Sequence, residues 1–225
     1  MWLRAFLRRD LREELSYRLY AVMQGASMVF GVLGLLFLGR MVGRGTVPAL
    51  DPWGGEYFLF AVTGVAVGDA MWVALSGFAA RVRYDQMVGT LDAMLATPAP
   101  LGRLVLGSGA YPLCKALLRL MLYLVLGYAF SGTSPDEGAL LLLLILPLTF
   151  LGFGALGVVS AALTLVVKRG EPVGAFAAVS FLVAGTLYPV ETLPGWCQAV
   201  ASVLPLTHAI DATRAALLSG ASLAE

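Results

Sequence analysis

Apolar residues occupy this chain in two patterns, one periodic and one continuous. In residues 3–19 the apolar side chains, including Leu3, Leu11 and Leu15, recur at helical spacing, and arginines and acidic residues fill the remaining arc. This pattern is typical of an amphipathic helix that lies in the membrane interface. We therefore predict an interfacial helix over residues 1–20. A polar helix packed on a soluble partner is the alternative interpretation.

Beyond this segment the apolar stretches are long enough to cross a lipid bilayer. A helix needs about 20 residues to cross about 30 Å of hydrocarbon. The predicted spans are residues 21–39, 57–80, 104–130, 139–167 and 173–188. The sequence thus predicts an all-α, polytopic membrane protein with five transmembrane helices.

The segment after the fifth predicted span has a different pattern. Pro189, Pro194 and Pro205 divide residues 189–214 into apolar pieces that are too short to cross the bilayer. Irregular backbone at membrane depth is tolerated only where other helices or a water-filled cavity satisfy its polar groups. We therefore predict a re-entrant hairpin over residues 189–214, covered by the rest of the protein.

The composition agrees with a membrane protein and disfavours other classes. Hydrophobic residues make up 59% of the chain and charged residues 13%, against about 25% charged residues in soluble domains. A chain of 225 residues cannot hide so much apolar surface in one core, so lipid must cover part of it. The net charge of +1 argues against a nucleic-acid partner. We treat residues 1–225 as a single membrane domain.

The basic residues predict how the chain is oriented. If the N-terminus is cytoplasmic, ten of the 15 Lys and Arg residues lie on the cytoplasmic side, three lie on the other side and two lie within a span. The ten are Arg4, Arg8, Arg9, Arg12, Arg18, Arg81, Arg83, Arg103, Lys168 and Arg169, and the three are Arg40, Arg44 and Arg214. Such a bias predicts a cytoplasmic N-terminus, a cytoplasmic loop over residues 81–103 and an extracytoplasmic hairpin in the cell membrane.

Three charged residues lie inside predicted spans. Asp69 is 12 residues from the start of the second span and Arg119 is 11 residues from the outer end of the third, which places both at about 16–18 Å depth. Lys115 shares the helix face of Arg119. Because an unpaired charge at this depth costs at least about 2.5 kcal/mol, we predict that Asp69 contacts Arg119 or Lys115. The pair either fixes the helix register or takes part in substrate passage.

The sequence predicts no catalytic residue, metal site or cofactor. The phosphate-binding pattern GxxxxGK[ST] is absent, since neither Lys115 nor Lys168 follows a glycine. His208 is the only histidine, and Ser108 lies in LGSG, which departs from the GxSG of intramembrane serine proteases. Metal ligands are not clustered. We therefore expect this chain not to be an enzyme.

The loop over residues 81–103 contains a short apolar stripe. Its members are Met87, Leu91, Met94 and Leu95. The stripe predicts a short amphipathic helix, with Thr90 as its N-cap and Pro98 at its end. Such a helix could rest on the membrane, or it could fit a groove on a soluble partner.

Two segments resemble a known family. Residues 84–98, YDQMVGTLDAMLATP, resemble the Gly-Thr-Leu-Glu and Leu-Leu-x-Thr-Pro signature of type-2 ATP-binding-cassette (ABC) export permeases. Residues 188–214, with YP, LP and LPLTHAIDATR, are similar to the extracytoplasmic re-entrant hairpin of that family. The family has a sixth span after the hairpin, and no stretch for this span follows here, so either the sequence is a fragment or the sixth span is absent.

The resemblance implies a function, partners and a site. In such permeases the loop after the second span is a coupling helix that docks on a separate ATPase subunit. The residues that the resemblance places at this interface are Gly89, Thr90, Leu91, Asp92 and Leu95. Two permease copies, identical or related, form the pathway and export a hydrophobic or amphipathic substrate by using ATP hydrolysed in the partner. The alternative is an ion-coupled secondary transporter with Asp69 as the carrier carboxylate.

Overall fold

The computed structural model describes residues 2–43, 48–53, 56–98, 100–133, 137–167 and 172–218. Within these ranges the chain forms helices and turns and no strand. The α-helices are α1 Trp2–Ser16, α2 Arg18–Val42, α3 Tyr57–Val88, α4 Thr90–Leu95, α5 Leu101–Ser131, α6 Leu142–Val167, α7 Pro172–Val183, α8 Gly195–Ala201 and α9 Pro205–Leu218. Short 3-10 helices cover Pro48–Trp53, Glu137–Leu141 and Val190–Thr192.

Four helices in these ranges are long and apolar enough to cross a membrane. They are Arg18–Val42, Tyr57–Val88, Gly102–Ser131 and Gly138–Val166. The prediction of an all-α polytopic membrane protein is confirmed. The helix α7 has only 12 residues, fewer than the roughly 20 that a straight crossing needs, because the chain turns at Gly185. The count of five spans therefore stays a prediction.

The helix α3 is longer than the sequence predicts and lies at the centre of the bundle. It continues to Val88, whereas the predicted span ends at residue 80. The continuation is helical because Arg81 pairs with Asp85 one turn later. At about 1.5 Å per residue, α3 is roughly 48 Å long, so part of it extends past about 30 Å of hydrocarbon.

Small side chains allow other helices to approach α3 closely. Ala66, Ala70 and Ala74 have no exposed surface, and α5, α6 and α9 pack around this helix. Lipid tails are as apolar as leucine, so close packing between small residues, rather than the hydrophobic effect, favours helix association in a membrane. By contrast, α2 and α6 are mostly exposed, as expected of helices that face lipid.

The N-terminal helix is shorter than predicted and packs on the bundle. It ends at Ser16, and α2 begins at Arg18 after a turn at Tyr17. Leu11 and Leu15 are exposed, while α1 lies against α5. The exposed apolar side chains are consistent with an interfacial helix, and its position at the membrane surface stays a prediction.

The two ends of α3 carry different elements. We call the end at residues 81–88 the polar end, because α1 and α4 pack there. We call the end at residues 57–64 the hairpin end, because α9 packs there. The predicted hairpin contains the short helices α8 and α9, and α9 continues to Leu218.

Some predictions fall on residues that are not described. Arg44, Lys168 and Arg169, which contribute to the charge bias, lie outside the described ranges, as do residues 219–225 of the single domain. The backbone of Leu95 is described within α4, but its side chain is not.

Candidate functional site

The middle of the bundle holds an ion pair between α3 and α5. Arg119 Nε donates to Asp69 Oδ2 at 2.6 Å, and Arg119 Nη2 donates to Asp69 Oδ1 at 2.8 Å. Two parallel bonds between a guanidinium and a carboxylate are strong and fix the relative orientation of both groups. The two residues whose predicted depths agree are therefore in direct contact.

Lys115 does not join this pair, although the sequence places it on the same helix face as Arg119. Its Nζ donates to Glu14 Oε1 at 2.6 Å, and the hydroxyl of Tyr111 donates to Glu14 Oε2. Burial by itself would raise the pKa of Glu14, but these donors hold its pKa below the ordinary value and keep it ionised. The residues Asp69, Lys115 and Arg119, which the sequence predicts as one cluster, thus belong to two separate ion pairs. Asp69 pairs with Arg119, and Lys115 pairs with Glu14.

At the polar end of α3, one arginine is shared by three carboxylates. Arg81 Nη2 donates to Asp85 Oδ1 at 3.0 Å, and Arg81 Nη1 donates to Glu13 Oε2 at 2.9 Å. Asp10 Oδ1 lies 3.4 Å from Arg81 Nη1. Asp10 and Asp85 are buried, so these contacts fasten α1 to the last turns of α3.

A glycine separates α3 from α4. Gly89 has a φ of +77°, which glycine adopts without steric cost because it has no Cβ atom. The prediction that Thr90 is the N-cap of α4 is wrong, because Gly89 takes that position and Thr90 is the first helical residue. Thr90 Oγ1 instead donates to Asp85 Oδ1 at 3.1 Å. Because Asp85 also binds Arg81, it connects the start of α4 to α3 and α1.

The predicted coupling residues lie in and beside α4. Gly89, Thr90 and Asp92 are exposed, and Leu91 is half-buried. The predicted apolar stripe is divided between two helices, since Met87 belongs to α3 and is exposed. The described part of α4 therefore presents both polar and apolar groups beyond the last turn of α3.

At the hairpin end, an arginine is fully buried. Arg214 Nη1 donates to the carbonyl oxygen of Gly185 at 2.9 Å, and Nη2 donates to those of Phe60 and Thr186 at 3.0 Å. Its guanidinium also lies over the Phe60 ring, 3.4 Å from the centroid. Although the charge count treats Arg214 as a residue of the outer side, it holds α9 against α3 and the turn that follows α7.

Sequence reasoning did not identify three residues of these networks. Glu14 and Asp10 belong to the polar arc of α1, which the pattern assigns to water, and Asp85 belongs to a loop in the predicted topology. One signal for Asp85 is present in the sequence, because Arg81 and Asp85 are four residues apart, as in a helical ion pair. No sequence signal indicates which helix α1 contacts.

These elements define a class of protein: a polytopic α-helical membrane protein with paired charges in its interior and a short helix that extends from one of its long helices. Residues 3–218 match the family described as ABC-2 type transporter, and the chain belongs to that family. It is a membrane permease subunit of an ABC transporter.

Similar curated proteins support this family assignment. Nodulation protein J of Sinorhizobium fredii is 31% identical over 200 residues, which are 86% of this chain and 72% of the relative. The probable multidrug ABC transporter permease YbhR of Escherichia coli is 29% identical over 146 residues, which are 63% of this chain and 39% of the relative. ABC transporter G family member 20 of Dictyostelium discoideum is 30% identical over 144 residues, which are 62% of this chain but only 19% of the relative.

Proposed function

We propose that this permease exports a hydrophobic or amphipathic substrate from the cytoplasm, with energy from ATP hydrolysed in a separate ATPase subunit. The observation that carries the proposal is the polar end of α3, where α4 follows Gly89 and is fastened to α1 through Asp85 and Arg81. A helix held in this way can pass a displacement to α3 instead of rotating freely. The family supports an ATPase partner, because ABC transporters use one.

The residues that contact the ATPase are those of the short helix. Leu91 and Asp92 lie on α4, and Gly89 and Thr90 form the junction with α3. Leu95 ends α4. A short helix that presents one or two apolar anchors among polar groups can fit a groove on a soluble partner. In this proposal the domain comprises the interfacial helix, the coupling loop over residues 81–103 and the re-entrant hairpin over residues 189–214.

The permease acts in the cell membrane with its N-terminus in the cytoplasm and as a dimer, either with a second copy of itself or with a related permease. The charge bias supports this orientation, because the basic residues of α1 and of the polar end fall on one side. The apolar, exposed α2 and α6 offer surfaces for lipid or for a second permease. The similarity to YbhR, a probable multidrug permease, supports an amphipathic substrate.

An ion-coupled transporter that uses Asp69 is the second candidate. A carrier carboxylate must release and rebind an ion or proton, whereas both oxygens of Asp69 accept bonds from Arg119. The geometry therefore favours a structural role for the pair. ATP-driven transport that persists after the proton and sodium gradients are collapsed would exclude this candidate.

The direct experiment is co-purification of the full chain with the ATPase encoded by a neighbouring gene and recognised by its GxxxxGK[ST] motif. We expect Leu91→Asp to remove at least about nine-tenths of the bound ATPase, because a charge replaces an apolar side chain that the proposed interface buries. Leu140→Asp is the matched control, since Leu140 is exposed at the hairpin end and its change leaves binding intact. Equal binding by both variants would contradict the proposed interface.

A further inference from the structure

An open cleft runs along α3 from the mid-membrane ion pair to the polar end. Its volume is about 680 Å³, and α1, α2, α3 and α5 form its walls. On α3 the lining extends from Asp69 to Tyr84, a distance of about 22 Å at 1.5 Å per residue. Pockets for small ligands have volumes of about 300–1,000 Å³, so the cleft has the size of a site for a drug-sized molecule.

The charged groups of the cleft leave an excess of negative charge. The carboxylates are Asp10, Glu13, Glu14 and Asp69, and the cations are Arg81, Lys115 and Arg119. Each of these groups is already paired, Asp10 with Arg9 outside the lining and the others with one another. The buried Asp85 next to Arg81 adds a fifth carboxylate to the four cations, so the cluster keeps one negative charge in excess and favours a cationic ligand over an anionic one.

One carboxylate that lines the cleft, Asp10, is buried. Asp10 is 5% exposed, and its Oδ1 accepts from Arg9 Nε at 2.8 Å. Its Oδ2 has no hydrogen-bond partner among the described residues. Arg9 Nη2 is also without one, but Arg9 does not line the cleft. A buried acceptor without a donor is costly. Oδ2 itself has almost no accessible surface, so a positively charged ligand in the cleft would stabilise Asp10 through its charge and not through a hydrogen bond to this oxygen. The half-exposed Glu13 lies beside it on α1.

Aromatic rings line the same cleft. They belong to Tyr17, Tyr20, Trp72, Tyr84 and Tyr111. Two of the rings already face a cation, since Lys115 Nζ is 5.9 Å from the centroid of Tyr20 and Arg81 Cζ is 5.1 Å from that of Tyr84. Tyr17 and Trp72 are exposed. Aromatic faces attract cations and also bury apolar surface.

We propose that this cleft binds an amphipathic organic cation, with its charge at Asp10 and Glu13 and its apolar body against Tyr17, Tyr20 and Trp72. The negative balance, the buried Asp10 carboxylate and the aromatic lining each favour this ligand class. The proposal that the cation binds in the cleft rests on the geometry of the cleft alone. Only the further step, that the bound cation is the exported substrate, rests on the proposed function.

Two ions of the same shape and opposite charge test the proposal. The full chain is purified in dodecyl maltoside, an uncharged detergent, and equilibrium dialysis measures binding of tetraphenylphosphonium and of tetraphenylborate, with empty micelles as the blank. We expect saturable binding of the phosphonium, at least about tenfold tighter than that of the borate, because only the cation is attracted by the carboxylates and rings. Absence of saturable binding, or equal affinity for the two ions, would overturn the proposal.

Matched variants locate the bound ion. Glu13→Gln removes one carboxylate from the cleft, and Asp51→Asn removes one at the hairpin end. We expect Glu13→Gln to weaken phosphonium binding about fivefold or more, and Trp72→Ala to weaken it as well, with Asp51→Asn unchanged. Glu13 is partly exposed, and thermal unfolding verifies that each variant is folded. If Glu13→Gln binds the phosphonium as tightly as Asp51→Asn does, the site is elsewhere and the proposal is wrong.

Two further measurements are needed. The first distinguishes a lipid headgroup from a soluble cation as the ligand, and the second distinguishes binding from export. Phosphatidylethanolamine also carries an ammonium group, so its competition with the phosphonium, without competition from phosphatidylglycerol, identifies a lipid headgroup as the occupant; no competition from either identifies a soluble cation. ATP-driven efflux of the phosphonium from vesicles is measured separately. Binding without efflux leaves the cleft assignment standing and contradicts the export of this ligand class. ATP-driven efflux of other substrates, without cation binding, overturns only the cleft assignment.

Discussion

Asp69 and Arg119 illustrate how a membrane restricts single residues. Each side chain is at least four-fifths buried at a depth where an isolated charge is expensive, and the two groups neutralise each other through two hydrogen bonds. Glu14 and Lys115 do the same nearer to α1. At this scale the requirement that every buried charge be paired or hydrogen-bonded determines which helix faces meet.

The Asp69–Arg119 pair predicts a specific stability effect. Asp69→Asn leaves Arg119 with a buried, uncompensated charge, and we expect a loss of about 3 kcal/mol in the free energy of unfolding. The loss appears as a lower midpoint of thermal unfolding in detergent. Replacing both residues, Asp69→Leu with Arg119→Met, recovers most of it, because two apolar groups of similar volume need no partner. A single variant as stable as the parent would show that the pair contributes nothing.

At the scale of elements, the turn after α7 and the buried Arg214 approach the backbone of α3 closely at Gly64. A Cβ atom at Gly64 would lie 2.1 Å from the carbonyl oxygen of Thr186 and 2.5 Å from Arg214 Nη2. The same carbonyl accepts a bond from Arg214. Only glycine at this position lets the turn after α7 and the buried arginine reach α3 together.

This contact predicts that Gly64→Ala separates the hairpin from α3. We expect a loss of about 2 kcal/mol or more in the free energy of unfolding, since the clash involves backbone that cannot move without breaking the Arg214 bonds. Gly31→Ala is the matched control, because no atom lies within 4 Å of the added Cβ and alanine favours a helix. Thermal unfolding compares the two variants. Equal midpoints would contradict the close approach.

The sequence predicts some elements well because the bilayer imposes them. The thickness of the hydrocarbon fixes the length of a span, so α2, α3, α5 and α6 correspond to long apolar stretches of the sequence. The limits of α3 and α7 are less predictable. Arg81 and Asp85 interrupt the apolar pattern without interrupting the helix, and the turn at Gly185 ends the fifth apolar stretch early.

The candidate site is predictable only where depth constrains it. Asp69 and Arg119 are predicted as partners because their distances from the membrane surface agree, and the same rule leaves Lys115 undecided. Its partner Glu14 lies 101 residues away on α1, and the packing of α1 on the bundle is a tertiary feature that no local pattern encodes. The burial of Arg214 is also tertiary, because its hydrogen bonds go to carbonyl groups of three distant residues.

At the scale of the whole molecule, the two ends of α3 carry different elements. The polar end carries α1, α4 and the charged networks, and the hairpin end carries α8, α9 and the buried Arg214. An ATPase in the cytoplasm can reach α4 only if the polar end faces the cytoplasm. The orientation of the chain therefore decides whether the proposed coupling is physically possible.

Cysteine labelling measures this orientation most directly. Cys114 and Cys197, the free cysteines of the described chain, are replaced by alanine, and one cysteine is introduced as Thr97→Cys at the polar end or as Thr192→Cys at the hairpin end, both at exposed positions. With a membrane-impermeant maleimide, we expect Thr192→Cys to react in intact cells and Thr97→Cys to react only after the cells are permeabilised. Labelling of Thr97→Cys in intact cells would place α4 outside the cell and contradict its docking on a cytoplasmic ATPase.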